Sequence, residues 1–180
     1  MTSSTRQVTA SSPLIIQSPR IGFLNLLGAS GQTILVEDKT ALVPLFGRVE
    51  ESETDPPVCD VLMIYAHVQA DGRLVGSADG LREMIQKSTA AIAIMASENE
   101  AKNCMVAGKP TGCGRANLVM TIKRKGLAFP RFFAQLFGKM SKGKSMPLAW
   151  VELAPQNPAA LRESCPESIF SAEVSHIVFE

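Results

Sequence analysis

The stretch 58–67 (VCDVLMIYAH) is apolar almost throughout, and it limits the fold of this chain more than any other feature. A strand with one face in water alternates apolar and polar residues. A strand covered on both faces does not, and near-continuous apolar runs belong to parallel sheets with helices on either side. The flanking sequence agrees, because short β-like runs alternate with amphipathic ones. The spacing predicts the order β-α-β-α-β-α-β-α-α-β, hence an α/β three-layer sandwich around a mainly parallel sheet. At 180 residues the chain has room for one such domain with a full core, expected over 13–180 behind a flexible, Ser/Thr-rich leader at 1–12.

Strands are expected at 14–17, at 33–37 (TILVE), at 91–96 and at 117–122 (NLVMTI). Edge strands at 169–170 and 176–179 close the chain, and the terminal HIVFE offers an open edge for a second copy, a route to a homodimer. A helix is expected at 40–49, against the presence of Pro44. Between them and the long apolar run lies an acidic, proline-containing loop, EESETDPP. Ser77 reads as the N-cap of a helix with Leu81, Met84 and Ile85 on one side. Leu81 to Met95 also fit one long helix; a break at 87–89 is preferred because the neighbouring units alternate strand and helix. A further helix covers 98–106. The clearest helix is 129–140, where Phe129, Phe132, Phe133, Leu136, Phe137 and Met140 form one unbroken stripe. Pro130 falls in its first turn, where the missing N–H costs nothing. A shorter helix at 147–153 carries the single tryptophan, Trp150.

Composition removes several function classes. With 46% hydrophobic and 19% charged residues, the chain is neither disordered nor fibrous. No apolar run reaches the ~18–20 residues of a membrane helix. The polar N-terminus has no apolar segment behind a basic patch, so neither a secretory signal nor a membrane is expected. Four cysteines without C-x-x-C spacing, and two distant histidines (His67 and His176), support no zinc site. Buried thiols, a cytoplasmic location and no cofactor are the expectations. The formal net charge of +1 hides a segregation: residues 101–150 hold ten basic side chains and no acidic one, and the rest carries eight basic and seventeen acidic. Such a division points to an anionic ligand or partner, nucleic acid included, or to an acidic surface elsewhere on the molecule. Aromatic residues for base stacking are missing from the basic side, since its phenylalanines lie on the core stripe.

In a parallel sheet, ligands gather beyond the carboxyl ends of the central strands. Two such ends carry chemistry: Tyr65-Ala66-His67, and Met95-Ala96-Ser97-Glu98-Asn99. Adjacent strands would set His67 and Ser97 on one rim, the minimum for nucleophilic catalysis. A strand ending in His followed by a strand ending in Ala-nucleophile-Glu resembles the caspase-like peptidases. The likeness is strongest to the CHAT subgroup, whose second motif reads roughly Leu-Ser-Ala-Cys-Glu-Thr. The similarity covers about residues 55–155 and continues through NLVMTI, FPRFFAQLFGKM and Lys142-Gly143-Lys144-Ser145 before Pro147. It implies a caspase-like layering of the sandwich, with flavodoxin-like layering as the alternative.

Two departures qualify what the resemblance implies. The family's nucleophile is Cys where this chain has Ser97, and the usual Gly after the His is Val68. A thiol ionises readily, whereas a Ser hydroxyl needs a bonded base that is itself oriented by a third group. No carboxylate evidently orients His67, although Asp71 and Glu98 lie close in sequence. The expected function is therefore a binding or regulatory module, a catalytically degenerate relative that meets a protein or peptide partner through its basic rim or an exposed edge. The alternatives are a hydrolase with Ser97 and His67, and a polyanion or nucleic-acid binder using the 101–150 cations. Ser97, Glu98 and Asn99 also read simply as the start of the next helix.

Two further basic clusters are candidate binding residues. The loop 108–114 (GKPTGCG) fails as a phosphate-binding P-loop, with Asn103 where Gly is required and Pro110 where Ser/Thr should stand. A looser anion nest with Lys109 and Arg115 survives. Cys113, between glycines, reads as incidental. Lys123, Arg124 and Lys125 end the 117–122 strand on the rim expected for Ser97, as an anion-attracting triplet or as an ordinary basic turn.

Overall fold

A computed structural model describes residues 13–109, 115–154 and 165–180. The expected leader, and Cys113 with most of its loop, lie outside these residues. The main sheet contains β2 (Arg20–Asn25), β3 (Arg48–Ser52), β4 (Val61–Tyr65), β5 (Ile92–Met95), β6 (Asn117–Lys123) and β7 (Glu167–Ser171). Its order is β3-β2-β4-β5-β6-β7, parallel throughout except for the antiparallel β7. The first five strands thus follow the doubly wound order 2-1-3-4-5, with the topological switch between β2 and β4. A separate parallel pair joins β1 (Leu14–Ile16) to β8 (Ile177–Phe179).

Every residue of β4 is inaccessible to solvent, as its apolar run requires. On one face Phe23, Met63, Tyr65, Ile94 and Val119 meet α1 (Gln32–Leu42), α4 (Ala128–Met140) and α5 (Met146–Leu153). On the other, Leu62, Ile64, Ala93, Met95 and Leu118 meet α2 (Leu81–Ser88) and α3 (Ala101–Ala107). The alternation within each strand feeds both faces, which is why the sheet sits in the middle of three layers. The α4 stripe is buried in full, from Phe129 to Met140.

The helix-strand-helix reading of 78–107 holds: α2 ends where Thr89 turns left-handed (φ 61°), and β5 and α3 follow. Four readings are corrected. Residues 33–37 are helical, because Leu35, Asp38 and Leu42 recur at helical spacing on the buried side, and that burial outweighs the β-preference of Thr, Ile and Val. Residues 40–49 are the end of α1, a tight turn at Val43–Leu45 containing Pro44, and the start of β3. Strand β2 went unread because Gly22 interrupts its apolar pattern. That glycine is needed, since a Cβ there would sit 2.7 Å from Cys59 Sγ and from Pro57 Cγ. Ser77 caps no helix: its Oγ accepts from Asp79 N, and Glu83 Oε2 accepts from Gly80 N ahead of α2. The HIVFE segment is an edge strand as expected, in the separate two-stranded sheet. It pairs with β1, and Phe179 packs on Phe46 and Phe137.

Candidate functional site at the carboxyl rim

The carboxyl ends of β2, β4, β5 and β6 open onto one side, where the doubly wound order places ligand sites. An open cleft of ≈ 460 Å³ lies there, and Ser30, Glu37, His67, Ser97, Glu98 and Arg124 are among its lining residues. The two candidate catalytic residues therefore do share a cleft. They are not bonded to each other.

Ser97 is 3% exposed, and its hydroxyl is occupied on both sides. It accepts from Ala66 N (3.0 Å) and donates to Ala66 O (2.5 Å), tying the end of β5 to the end of β4. Asn99 extends the seam. Its Oδ1 accepts from Val68 N (2.7 Å), and its Nδ2 donates to Ala66 O and Ser97 O (3.2 Å each). Neither residue caps α3, whose N-cap is Glu100. His67 is exposed, and no hydrogen bond joins its imidazole to Ser97 or to a carboxylate among the described residues. Asp71 faces Arg73 (3.7 Å), and Glu98 Oε1 accepts from Arg124 N (2.8 Å), so neither orients the ring.

Beneath the cleft lies an ionic cluster. Arg124 is 5% exposed and Asp38 is fully buried. The guanidinium donates to both Asp38 oxygens (2.5 and 3.0 Å) and to Ala96 O (2.9 Å), and lies 4.2 Å from the Phe129 ring centroid. Tyr65 Oη donates to Asp38 Oδ2 at 2.7 Å. Burial raises the Asp38 carboxyl above its ordinary range, against the opposing pull of Arg124 and Tyr65. Burial beside Asp38 pushes the Tyr65 phenol well up. The middle residue of the basic triplet is thus a largely buried cation whose charge is balanced by Asp38. The sequence reading missed Asp38 and Glu37, and it placed Tyr65 at the rim without giving it a role. A lone Asp on the Leu35–Leu42 stripe was the available signal, lost when 33–37 was read as a strand.

The other cations do not converge. Lys102 pairs with Glu100, Lys125 with Glu167, and both Lys139 and Lys144 with Glu152. Lys109, Arg115, Lys123, Arg131 and Lys142 have no carboxylate partner among the described residues. Arg115 precedes β6 and Lys123 ends it, which separates them by about 25 Å of extended chain. Half of the ten basic residues of this segment are folded back onto carboxylates, with Asp38, Glu100, Glu152 and Glu167 supplied from outside it. The anion nest expected at Lys109 and Arg115 depends on residues 110–114, outside the described ones.

Cys59, Cys104 and Cys165 are free and buried, and burial pushes the Cys59 thiol up to about 12. Among the described residues no cluster of three or more His, Cys, Asp or Glu side chains is placed to hold a metal, and no helix is long and apolar enough to cross a membrane. No family model matches the chain. No curated protein matches it either.

Proposed function

We propose that this chain is a binding or regulatory module, a catalytically degenerate relative of the caspase-like peptidases that takes a peptide segment of a partner protein in its carboxyl-rim cleft. One observation carries the reading: the Ser97 hydroxyl both donates to and accepts from the Ala66 backbone. A nucleophilic Ser must hand its proton to a base, and this proton is spent on a carbonyl while the exposed His67 lacks an orienting partner among the described residues. The cleft itself remains open, with His67, Glu37 and Glu98 on its wall. The hydrolase alternative keeps a common cleft in its favour and lacks the hydrogen bond. The polyanion alternative is disfavoured by the pairing and dispersal of the cations.

A peptide array probed with wild-type protein, with parallel assays on peptide and ester substrates and a fluorophosphonate label, tests the proposal. Retention of a subset of peptides without cleavage is expected, and His67→Ala should abolish it. Turnover that Ser97→Ala removes would establish the hydrolase instead, and an array with no retained peptide would equally overturn the binding reading. Ser97→Ala should also lower stability by about 1–3 kcal/mol in urea melts, because it leaves the buried Ala66 N–H without its partner.

A further inference from the structure

The last strand of an open sheet has one row of backbone donors and acceptors without a neighbour. In the six-stranded sheet the two end strands are β3 and β7. They differ in cover. Beyond Glu167, β7 is half-buried throughout, and its Phe170 stacks on Trp150 with ring centroids 4.7 Å apart. In β3, Arg48, Val49, Glu50 and Glu51 are all exposed and Ser52 is half-buried. The register with β2 sets Val49 and Glu51 beside Ile21 and Phe23, on the face that α1 covers further in, and sets Glu50 beside Gly22 on the opposite face. The strand is thus open on both faces as well as along its outer side. Among the described residues its one ion pair joins Glu51 to Lys39 of α1 (2.5 Å).

The charge of this edge says what it can pair with. From Arg48 to Asp55 the chain carries four carboxylates and one cation. Lys39 answers Glu51, while Glu50, Glu53 and Asp55 have no cationic partner among the described residues. Glu53 and Asp55 are exposed in the loop that leaves the carboxyl end of β3. Charges along an edge turn away strands of like charge and admit strands of opposite charge. A second copy of β3 is disfavoured on that ground, because antiparallel self-pairing sets Glu50 and Glu51 close to their equivalents. We infer that β3 is a docking edge, taking an extended segment of another protein, rich in Lys or Arg, as a seventh strand. Backbone hydrogen bonds from alternate residues of β3 would hold that strand about 4.8 Å away, and Glu50, Glu53 and Asp55 would select its charge. No residue of β3 lines the carboxyl-rim cleft, and the inference does not depend on what that cleft binds.

The test is fluorescence anisotropy with the full chain and labelled peptides of about eight residues, a little longer than β3. Two of them alternate Val with a charged residue, Lys in one and Glu in the other. A third is the Lys peptide N-methylated at its central amides, which keeps the charge and removes backbone donors from both of its edges. The Lys peptide should bind, more weakly as salt is added, and the Glu peptide should not. Methylation should weaken binding by about tenfold or more. The double variant Glu50→Lys/Glu53→Lys should weaken the Lys peptide by about the same factor. Thermal midpoints check that this variant folds; if it does not, the methylated peptide decides. Hydrogen exchange in the complex should slow at residues 48–52. Failure of the Lys peptide to bind, equal binding of the Lys and Glu peptides, or undiminished binding of the methylated one would overturn the inference. Slowing confined to the carboxyl rim would overturn it too, and would leave the reading of the cleft standing. A solution dimer that the double variant dissociates would do the same, since a second copy would then hold the edge.

Discussion

Replacing Arg124 with Met should cost about 3–5 kcal/mol of stability, because it strands a buried carboxylate. Asp38 has no exposure to solvent, and Arg124 supplies two of the three side-chain hydrogen bonds it accepts. Removing the cation leaves Tyr65 Oη as the remaining donor, which is too little for a desolvated charge. The double variant Asp38→Asn/Arg124→Met should recover most of the loss, since the amide keeps a partner for Tyr65 without a charge to bury. The deficit should also depend on pH. Burial already holds the native Asp38 carboxyl above its unfolded value, so this group favours the folded state fully below that unfolded value, and the benefit is lost as pH rises through the folded one. Without the guanidinium the folded value climbs further, and the deficit of Arg124→Met should be larger near about pH 8 than near about pH 5. Urea melts at both pH values measure this. A variant within about 1 kcal/mol of wild type at both would mean the pair is not the uncompensated burial described here.

The second large effect is expected at Phe133, where truncation to Ala should cost about 3–5 kcal/mol. Its ring is fully buried, 4.8 Å from Phe129, 5.4 Å from Phe132 and 6.1 Å from Trp150 between centroids. The cavity would open between α4, α5 and the sheet, with neighbouring aromatics too large to collapse into it. Leu148→Ala, on the 51% exposed side of α5, should stay within about 0.5 kcal/mol. Equal effects of the two substitutions in chemical denaturation would sink the assignment of α4 as the centre of the core.

Strong periodic patterns were legible in the sequence. The 58–67 run became the central strand β4, the phenylalanine stripe became α4, and the alternation of units placed β5 between α2 and α3. Residues 33–37 were not legible, because Thr, Ile and Val carry a local β-preference and the helical signal rests on Leu35, Asp38 and Leu42, one of them charged. Strand β2 was hidden by Gly22, whose reason is a side-chain approach from Cys59 and Pro57, more than thirty residues away. At the rim, the sequence reading brought His67 and Ser97 to one cleft. It had no means of knowing that the Ala66 backbone would claim the hydroxyl.

The sequence by itself determined the layering, since burial periodicity is local: whether a segment is covered on one side or two is written in its own residues. It also determined where the charges lie along the chain. Only the tertiary structure decided which of those charges meet. Arg124 is the middle of a basic triplet in sequence and half of a buried ion pair in space, because Asp38, 86 residues earlier, lies beneath the same rim. Hydrogen-bond and ion-pair partners are chosen by distance in the folded chain, and no local pattern encodes that distance.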